Sequence, residues 1–280
     1  MSAPTQAERE SPRSIFVENF SDNALGPVRT LGRTFRLAIL TVLQTGLGIV
    51  SGRLKVREAV VMGWYLISVT AIPAFLMAIP FGIIVTIQIG NIINQLGAQS
   101  LLGAASGFAV IQQAAPLASG VLLGGAGASA IAADLGSRTV REEIDAMRTM
   151  GIDPIERLVV PRVIAAAVVG PLLALFIITV GVLAAFYLAV IVQGVGPGSY
   201  WQSFGSFATQ RDLILAMVKA SVFGVLIAVI GCQRGLEAKG GPRGIADGVN
   251  ATVVVATVGI LAINFIITLI YTVFFPMQIG

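Results

Sequence analysis

Charge in this chain is gathered into one island, Asp134 to Arg162, between two long stretches, 59–133 and 163–210, that contain no Asp, Glu, Lys or Arg. The adjacent carboxylates Glu142 and Glu143 are the nearest thing to an acid–base pair, the kind of pairing an intramembrane protease would use. Two observations count against that chemistry. The chain has no histidine, the commonest general base and nitrogen ligand for transition metals, and the glutamates lie in the charged island outside the apolar stretches. The glycine-rich run Gly124-Gly125-Ala126-Gly127-Ala128-Ser129 is no phosphate loop, because it lacks the Gly-Lys-Ser/Thr ending that grips phosphate and magnesium. No catalytic residue, metal ligand or cofactor site is therefore expected in this chain, and any ATP must be hydrolysed by another.

The remaining polar residues with chemical potential sit inside apolar sequence, where they are costly and usually face an interior or a partner. Gln88, Asn91, Asn94 and Gln95 cluster at the end of the first long apolar stretch, Lys219 lies eight residues beyond Arg211, and Asn264 falls in the last apolar run. Gln88, Asn91, Asn94, Lys219 and Asn264 are candidates for a substrate path. For the amides the alternative is hydrogen bonding between helices, and for Lys219 it is snorkelling to the surface.

The elements that position these groups follow from composition. With 56% hydrophobic and 11% charged residues and a mean hydropathy of +0.89, the chain is an integral membrane protein. Its net charge of +4 does not indicate nucleic acid, because the basic residues flank apolar spans. The lone cysteine, Cys232, falls in an apolar run and reads as a small core residue. Residues 1–26 mix Glu, Arg, Ser and Pro without an apolar core, so a flexible N-terminus without a cleavable signal is expected.

Pro27 to Val50 begins with apolar residues at helical spacing, interrupted by Arg29, Arg33 and Arg36; its uncharged part, Leu37 to Val50, is short for a crossing at ~20 residues. It reads as an amphipathic helix in the membrane interface within a 27–58 segment, with a short sixth span as the alternative. Five crossings follow, at about 60–90 (kinked by Pro73 and Pro80), 107–134, 163–192, 213–233 and 249–275, forming a five-helix domain over 59–280. Eight Lys or Arg before residue 59, five in the island and three in the 234–243 loop share one side, which the positive-inside rule places in the cytoplasm. The N-terminus is then inside and the C-terminus outside.

Within the island, Thr139-Val140-Arg141-Glu142 fits a capping box, and Gly151 with Pro154 gives a stop signal, so a short amphipathic helix is expected over 138–150. Val140, Ile144 and Met147 would share an apolar face, with Arg141, Glu142, Asp145 and Arg148 largely on others, alongside Glu143. On patterning alone a docking helix and a solvated connector are equally good readings. In the second span, Gly120, Gly124, Ala128, Ala132 and Gly136 recur at four-residue spacing, a packing ridge for close helix approach within the chain or across a dimer seam.

The run Ala133-Asp134-Leu135-Gly136-Ser137-Arg138-Thr139-Val140-Arg141-Glu142-Glu143-Ile144-Asp145-Ala146-Met147, followed by Gly151-Ile152-Asp153-Pro154, Leu158 and Pro161-Arg162, closely resembles the signature loop of the MlaE/YrbE permeases of lipid ABC transporters, most of all the YrbE permeases of actinobacterial Mce systems. The resemblance implies an all-α MlaE-like fold of five transmembrane helices after an interfacial helix, in the inner membrane. It also implies that the island helix is a coupling helix seated on a cytoplasmic ABC ATPase, with ATP and magnesium held by that partner. A second permease subunit, more fittingly a diverged sister than an identical copy, and MCE-domain proteins on the outer side complete the implied assembly. Its substrates would be fatty acids, sterols or other lipids. An ion-coupled secondary transporter is the alternative, although it would usually show an inverted repeat and five spans show none.

Overall fold

The computed structural model describes residues 32–41, 43–46 and 56–274. The expected flexible segment 1–26, the start of the interfacial segment and the chain end beyond Phe274 lie outside the described residues. Residues 32–41 and 43–46 are helical. Leu37 and Thr41 are buried, while Phe35, Ile39 and Leu43 present an apolar face outward. Arg33 pairs with Glu237 at 3.1 Å and Gln44 donates to Asp153 at 2.7 Å, so this segment lies against the loops at the charged end of the bundle.

Among the described residues, five helices are long and apolar enough to cross a membrane: α1 (Val56–Gln95), α2 (Gln99–Val140), α4 (Ile155–Ile191), α6 (Gln210–Leu236) and α7 (Pro242–Phe274). Even the shortest, 27 residues, reaches about 40 Å at ~1.5 Å per residue, beyond the ~30 Å hydrocarbon core. Two short helices join them, α3 (Glu143–Thr149) in the island and α5 (Pro197–Phe207) at the other end. Each span starts before its expected limit, and α1, α2 and α6 also run past their expected ends, because helical hydrogen bonding continues beyond the apolar residues. The interval 91–106 left between the first two expected spans shrinks to three residues. Gly97, at φ +67°, closes α1 there, with Ala98 N–H donating to Ile93 O and Gly97 N–H to Asn94 O at 3.1 Å each.

The bundle is layered by residue size. In α1 the buried positions Ala59, Gly63, Leu66, Thr70, Ala74, Ala78, Gly82, Thr86 and Gly90 form one stripe that lies on α4. A Cβ on Gly82 would come 2.3 Å from Gly181 O, so the two backbones touch. The same device joins α4 to α6, where a Cβ on Gly170 would meet Ala220 O at 2.3 Å and one on Gly224 would meet Ala166 O at 2.2 Å. Central α2 contacts all four other spans, and α1 and α7 form the flanks. In α7 only Thr252, Ala256 and Ile260 are buried, leaving a broad outward apolar face.

The glycine ridge of α2 is spent inside the chain. Gly120 and Gly124 lie against Phe223 and Ile260, and Gly136 against Ala238 and Ile245, with Ala128 and Ala132 buried between. A four-residue repeat drifts about 40° per step around a helix of ~100° per residue. Part of the drift is absorbed by the π turn at Leu123–Gly127, which holds an added residue within the ridge; another π turn, at Val110–Ala114, lies ahead of it. A third lies at Ile155–Val159, opening α4.

Candidate functional site

Two polar assemblies stand at opposite ends of the bundle. At the charged end, α2 runs on through Val140 and the chain turns at Glu142, whose φ of +60° is a left-handed conformation that a residue with a Cβ holds only under local constraint. Helix α3 follows at once. Thr139, expected to cap the island helix, instead donates to Leu135 O (2.8 Å) and Gly235 O (3.0 Å), tying α2 to the end of α6. The helix expected over 138–150 is therefore only Glu143–Thr149 and carries no side-chain cap. Its stop is as expected: Gly151, at φ +74°, lets Ile152 N–H reach Met147 O (2.9 Å) and Gly151 N–H reach Arg148 O (3.1 Å).

The apolar face expected of Val140, Ile144 and Met147 does not point outward as a unit. Val140 belongs to α2 and is exposed, Ile144 is buried under the bundle, and Met147 is half-buried beside it. What α3 offers to its surroundings is polar: Arg141, Glu142, Asp145 and Arg148 are exposed, followed by the apolar Met150 and Ile152. Glu143 is half-buried and held by Arg141 at 3.0 Å, and Asp145 pairs with Arg148 at 3.0 Å. The two ends of the island are clasped together. Asp134, on α2, takes Arg138 at 3.2 Å and also Arg162 of α4, whose guanidinium additionally donates to Leu158 O.

The second assembly is buried between α2, α6 and α7. Lys219 has no exposure; its ammonium donates to Gln112 O (3.1 Å) and to Thr268 Oγ1 (2.9 Å). That carbonyl is free because the residue four places on, Pro116, has no N–H. Asp212 is also buried, accepting from Gln112 Nε2 (2.6 Å) and from Tyr271 OH (3.2 Å). The same carboxylate caps α6, taking the Thr209 N–H at 3.1 Å and the Thr209 hydroxyl at 2.6 Å. Asn264 donates to Gln113 Oε1 at 3.4 Å, and its own Oδ1 finds no partner among the described residues. The π turn at 110–114 places the Gln112 side chain toward α6 and the Gln113 side chain toward α7. Beyond this cluster, α5 covers the start of α2: Tyr200 is buried, hydrogen-bonded to Ser106 at 3.1 Å and ringed by Phe186 and Trp201. Burial pushes its phenol above the ordinary tyrosine value, against the opposing pull of the Ser106 bond.

The sequence of the MlaE permease family matches this chain over residues 59–270, which takes in all but the first turn of α1, the whole island and nearly all of α7. The chain belongs to that family. Among curated relatives of this permease, the chloroplastic protein trigalactosyldiacylglycerol 1 of Arabidopsis thaliana is 33% identical over 67% of this chain and 53% of its own length, so the alignment spans about half of that protein. A probable ABC transporter permease of Synechocystis is 32% identical over 67% of this chain and 71% of its own. The intermembrane phospholipid transport system permease MlaE of Haemophilus influenzae is 26% identical over 68% of this chain and 73% of its own. The chain is thus a multi-pass membrane transport subunit with an all-α MlaE-like fold.

In this permease the candidate path residues do not converge. Gln88, Asn91 and Asn94 are exposed on α1, whereas Lys219 and Asn264 belong to the buried cluster on the other flank. Snorkelling of Lys219 is overturned, since its ammonium is fixed inside by two acceptors. Gln112, Gln113, Asp212 and Tyr271 are functional candidates that reading the sequence missed. The available signal was Gln112-Gln113 amid uncharged sequence and the Thr209-x-x-Asp212 box before an apolar run.

Proposed function

We propose that this permease is the membrane subunit of an ABC transporter that moves lipids or related hydrophobic molecules between the inner membrane and an external carrier. The observation that carries the reading is α3, a charged ledge hung between two spans by a left-handed kink at one end and a glycine turn at the other. A rigid ledge of that kind transmits force from a soluble motor into α2 and α4 directly. The exposed set Arg141, Glu142, Asp145 and Arg148, with Met150 and Ile152, is the docking face for a cytoplasmic ATPase that supplies ATP and magnesium. Buried Ile144 and half-buried Met147 seat the ledge, and Val140 and Glu143 brace its root. Sixteen of eighteen basic residues on the α3 side support a cytoplasmic placement of that side. The printed names of the relatives, one of them a phospholipid transport permease, support a lipid substrate. The outward apolar face of α7 suits a second permease subunit, a diverged sister in preference to an identical copy, and MCE-domain proteins complete the outer side.

The test is co-purification of the full chain with its ATPase. Arg148→Glu and Glu142→Arg are expected to abolish lipid-stimulated ATP hydrolysis by the assembly while leaving the permease folded. Unchanged hydrolysis in both variants overturns the assignment. A second reading, ion-coupled transport without a motor, draws on buried Asp212 and Lys219, since intramembrane ionisable groups mark ion pathways. Lipid movement by the isolated chain under an ion gradient alone would favour it.

A further inference from the structure

A cavity of about 1140 Å³ opens at the charged end, between the first turns of α1, the last turns of α2, α3 and the start of α4. It is separate from the buried cluster around Lys219. Its walls are of two kinds. Val61, Met62 and Tyr65 of α1, Ala130 of α2 and Met147 of α3 are its apolar lining; Arg57 and Glu58, one turn earlier on the same face of α1, join Asp134, Arg138, Arg157 and Arg162 as its charged lining.

Four guanidiniums against two carboxylates leave the cavity with surplus positive charge, and the pairing shows where it resides. Asp134 is shared by Arg138 and Arg162, and Glu58 is taken by Arg157 at 3.3 Å. Among the described residues Arg57 has no ion-pair partner. Arg162 has a side chain only 7% exposed, and its Nε finds no acceptor although its two terminal nitrogens are engaged. A buried guanidinium with an unmet donor is unusual enough to need a reason.

Val60, Val61, Trp64 and Tyr65 form an exposed apolar patch on α1, and Val61 and Tyr65 of that patch also line the cavity. A soluble anion would answer the arginines and leave the apolar lining wet; a neutral sterol would do the reverse. The volume also exceeds the ~300–1,000 Å³ of ordinary small-ligand sites, room for more than a head group. We propose that this cavity binds an anionic phospholipid from the leaflet beside the charged loop, its phosphate at the Arg57 side and its acyl chains leaving along Val61 and Tyr65. Basic pockets between membrane helices recognise anionic head groups in this way, through charge-assisted hydrogen bonds from arginine. Because Met147 forms part of the wall, the bound lipid also props the ledge α3 from above.

The experiment places the full-length chain in nanodiscs of equal phosphatidylglycerol and phosphatidylcholine and reads co-purifying lipid by native mass spectrometry. Phosphatidylglycerol should be retained in preference. Arg57→Gln should weaken that preference about tenfold, the factor supplied by one hydrogen bond to a charged group at the low end of its range. Met62→Trp, which fills the cavity, should abolish retention of either lipid there. Arg243→Gln, an exposed charge on the same side but away from the cavity, should change nothing. Arg57 is exposed, so its loss leaves the fold intact, which an unchanged melting curve would verify. Equal retention of the two lipids, equal effects of Arg57→Gln and Arg243→Gln, or displacement of the lipid by millimolar inorganic phosphate would each overturn the proposal.

Discussion

Lys219 is the residue whose surroundings depart most from what its type suggests. A lysine two turns into an apolar helix ordinarily stretches toward water, yet here a carbonyl that Pro116 leaves vacant and the Thr268 hydroxyl take its ammonium. Lys219→Met would strand both acceptors. A loss of about 1–3 kcal/mol is expected, read as a lower melting temperature in detergent. Asp212→Asn keeps the shape and the capping oxygen at Thr209, and its NH2 regains a partner once the Gln112 amide turns its Oε1 toward it, so its loss should be smaller. Equal shifts for the two would mean that the ammonium is not the organising group. None of this was legible from Lys219 and its apolar neighbours alone, because the acceptors come from residues about 50 and 107 positions away in sequence.

At the scale of elements, the glycines decide how closely helices sit. Gly224→Ala would drive a Cβ to 2.2 Å from Ala166 O, a backbone atom that cannot swing aside, so α4 and α6 must part. Overpacking of this kind costs about 1–3 kcal/mol. Gly125 has nothing within 4 Å of its Cβ position, and Gly125→Ala should be neutral or slightly stabilising through helix propensity. Thermal unfolding of the pair separates close packing from a general intolerance of side chains. The existence of five spans was plain from the uncharged runs, and the stop at Gly151 from its position after the island helix. The start of α3 was misjudged: Thr139-x-x-Glu142 has the letters of a capping box, but α2 does not end in time to use it. Helix α5 was hidden because Gly194 to Gly198 reads as a break, while its aromatic side chains find their surroundings in residues distant in sequence, Phe186 of α4 and the bare Gly103 and Gly107 of α2.

For the whole molecule, orientation is the property on which the functional proposal turns. Cys232 is fully buried, so the native chain is already silent toward thiol reagents. In intact cells a membrane-impermeant maleimide should label Ser206→Cys on α5 and spare Ala146→Cys on α3, with the pattern reversed in inside-out vesicles. The opposite result would put the ledge out of reach of any cytoplasmic motor. The general plan at this scale, five apolar helices with most basic residues on one side, could be read from charge placement, whereas the permease reading needed the resemblance of the island. The clasp of Asp134 on Arg162 could not, although those residues mark the borders of the island, because nothing in the uncharged runs states that α2 and α4 return to the same point.

The two wide turns in α2 also bear on how any substitution survey of that helix will look. Positions before residue 110, between the turns and after residue 127 follow three separate angular phases, so a single wheel drawn at about 100° per residue would scatter sensitive and tolerant sites at random. Plotted in three sections, the same measurements should fall onto one continuous inward line, with Gly103 and Gly136 at its ends.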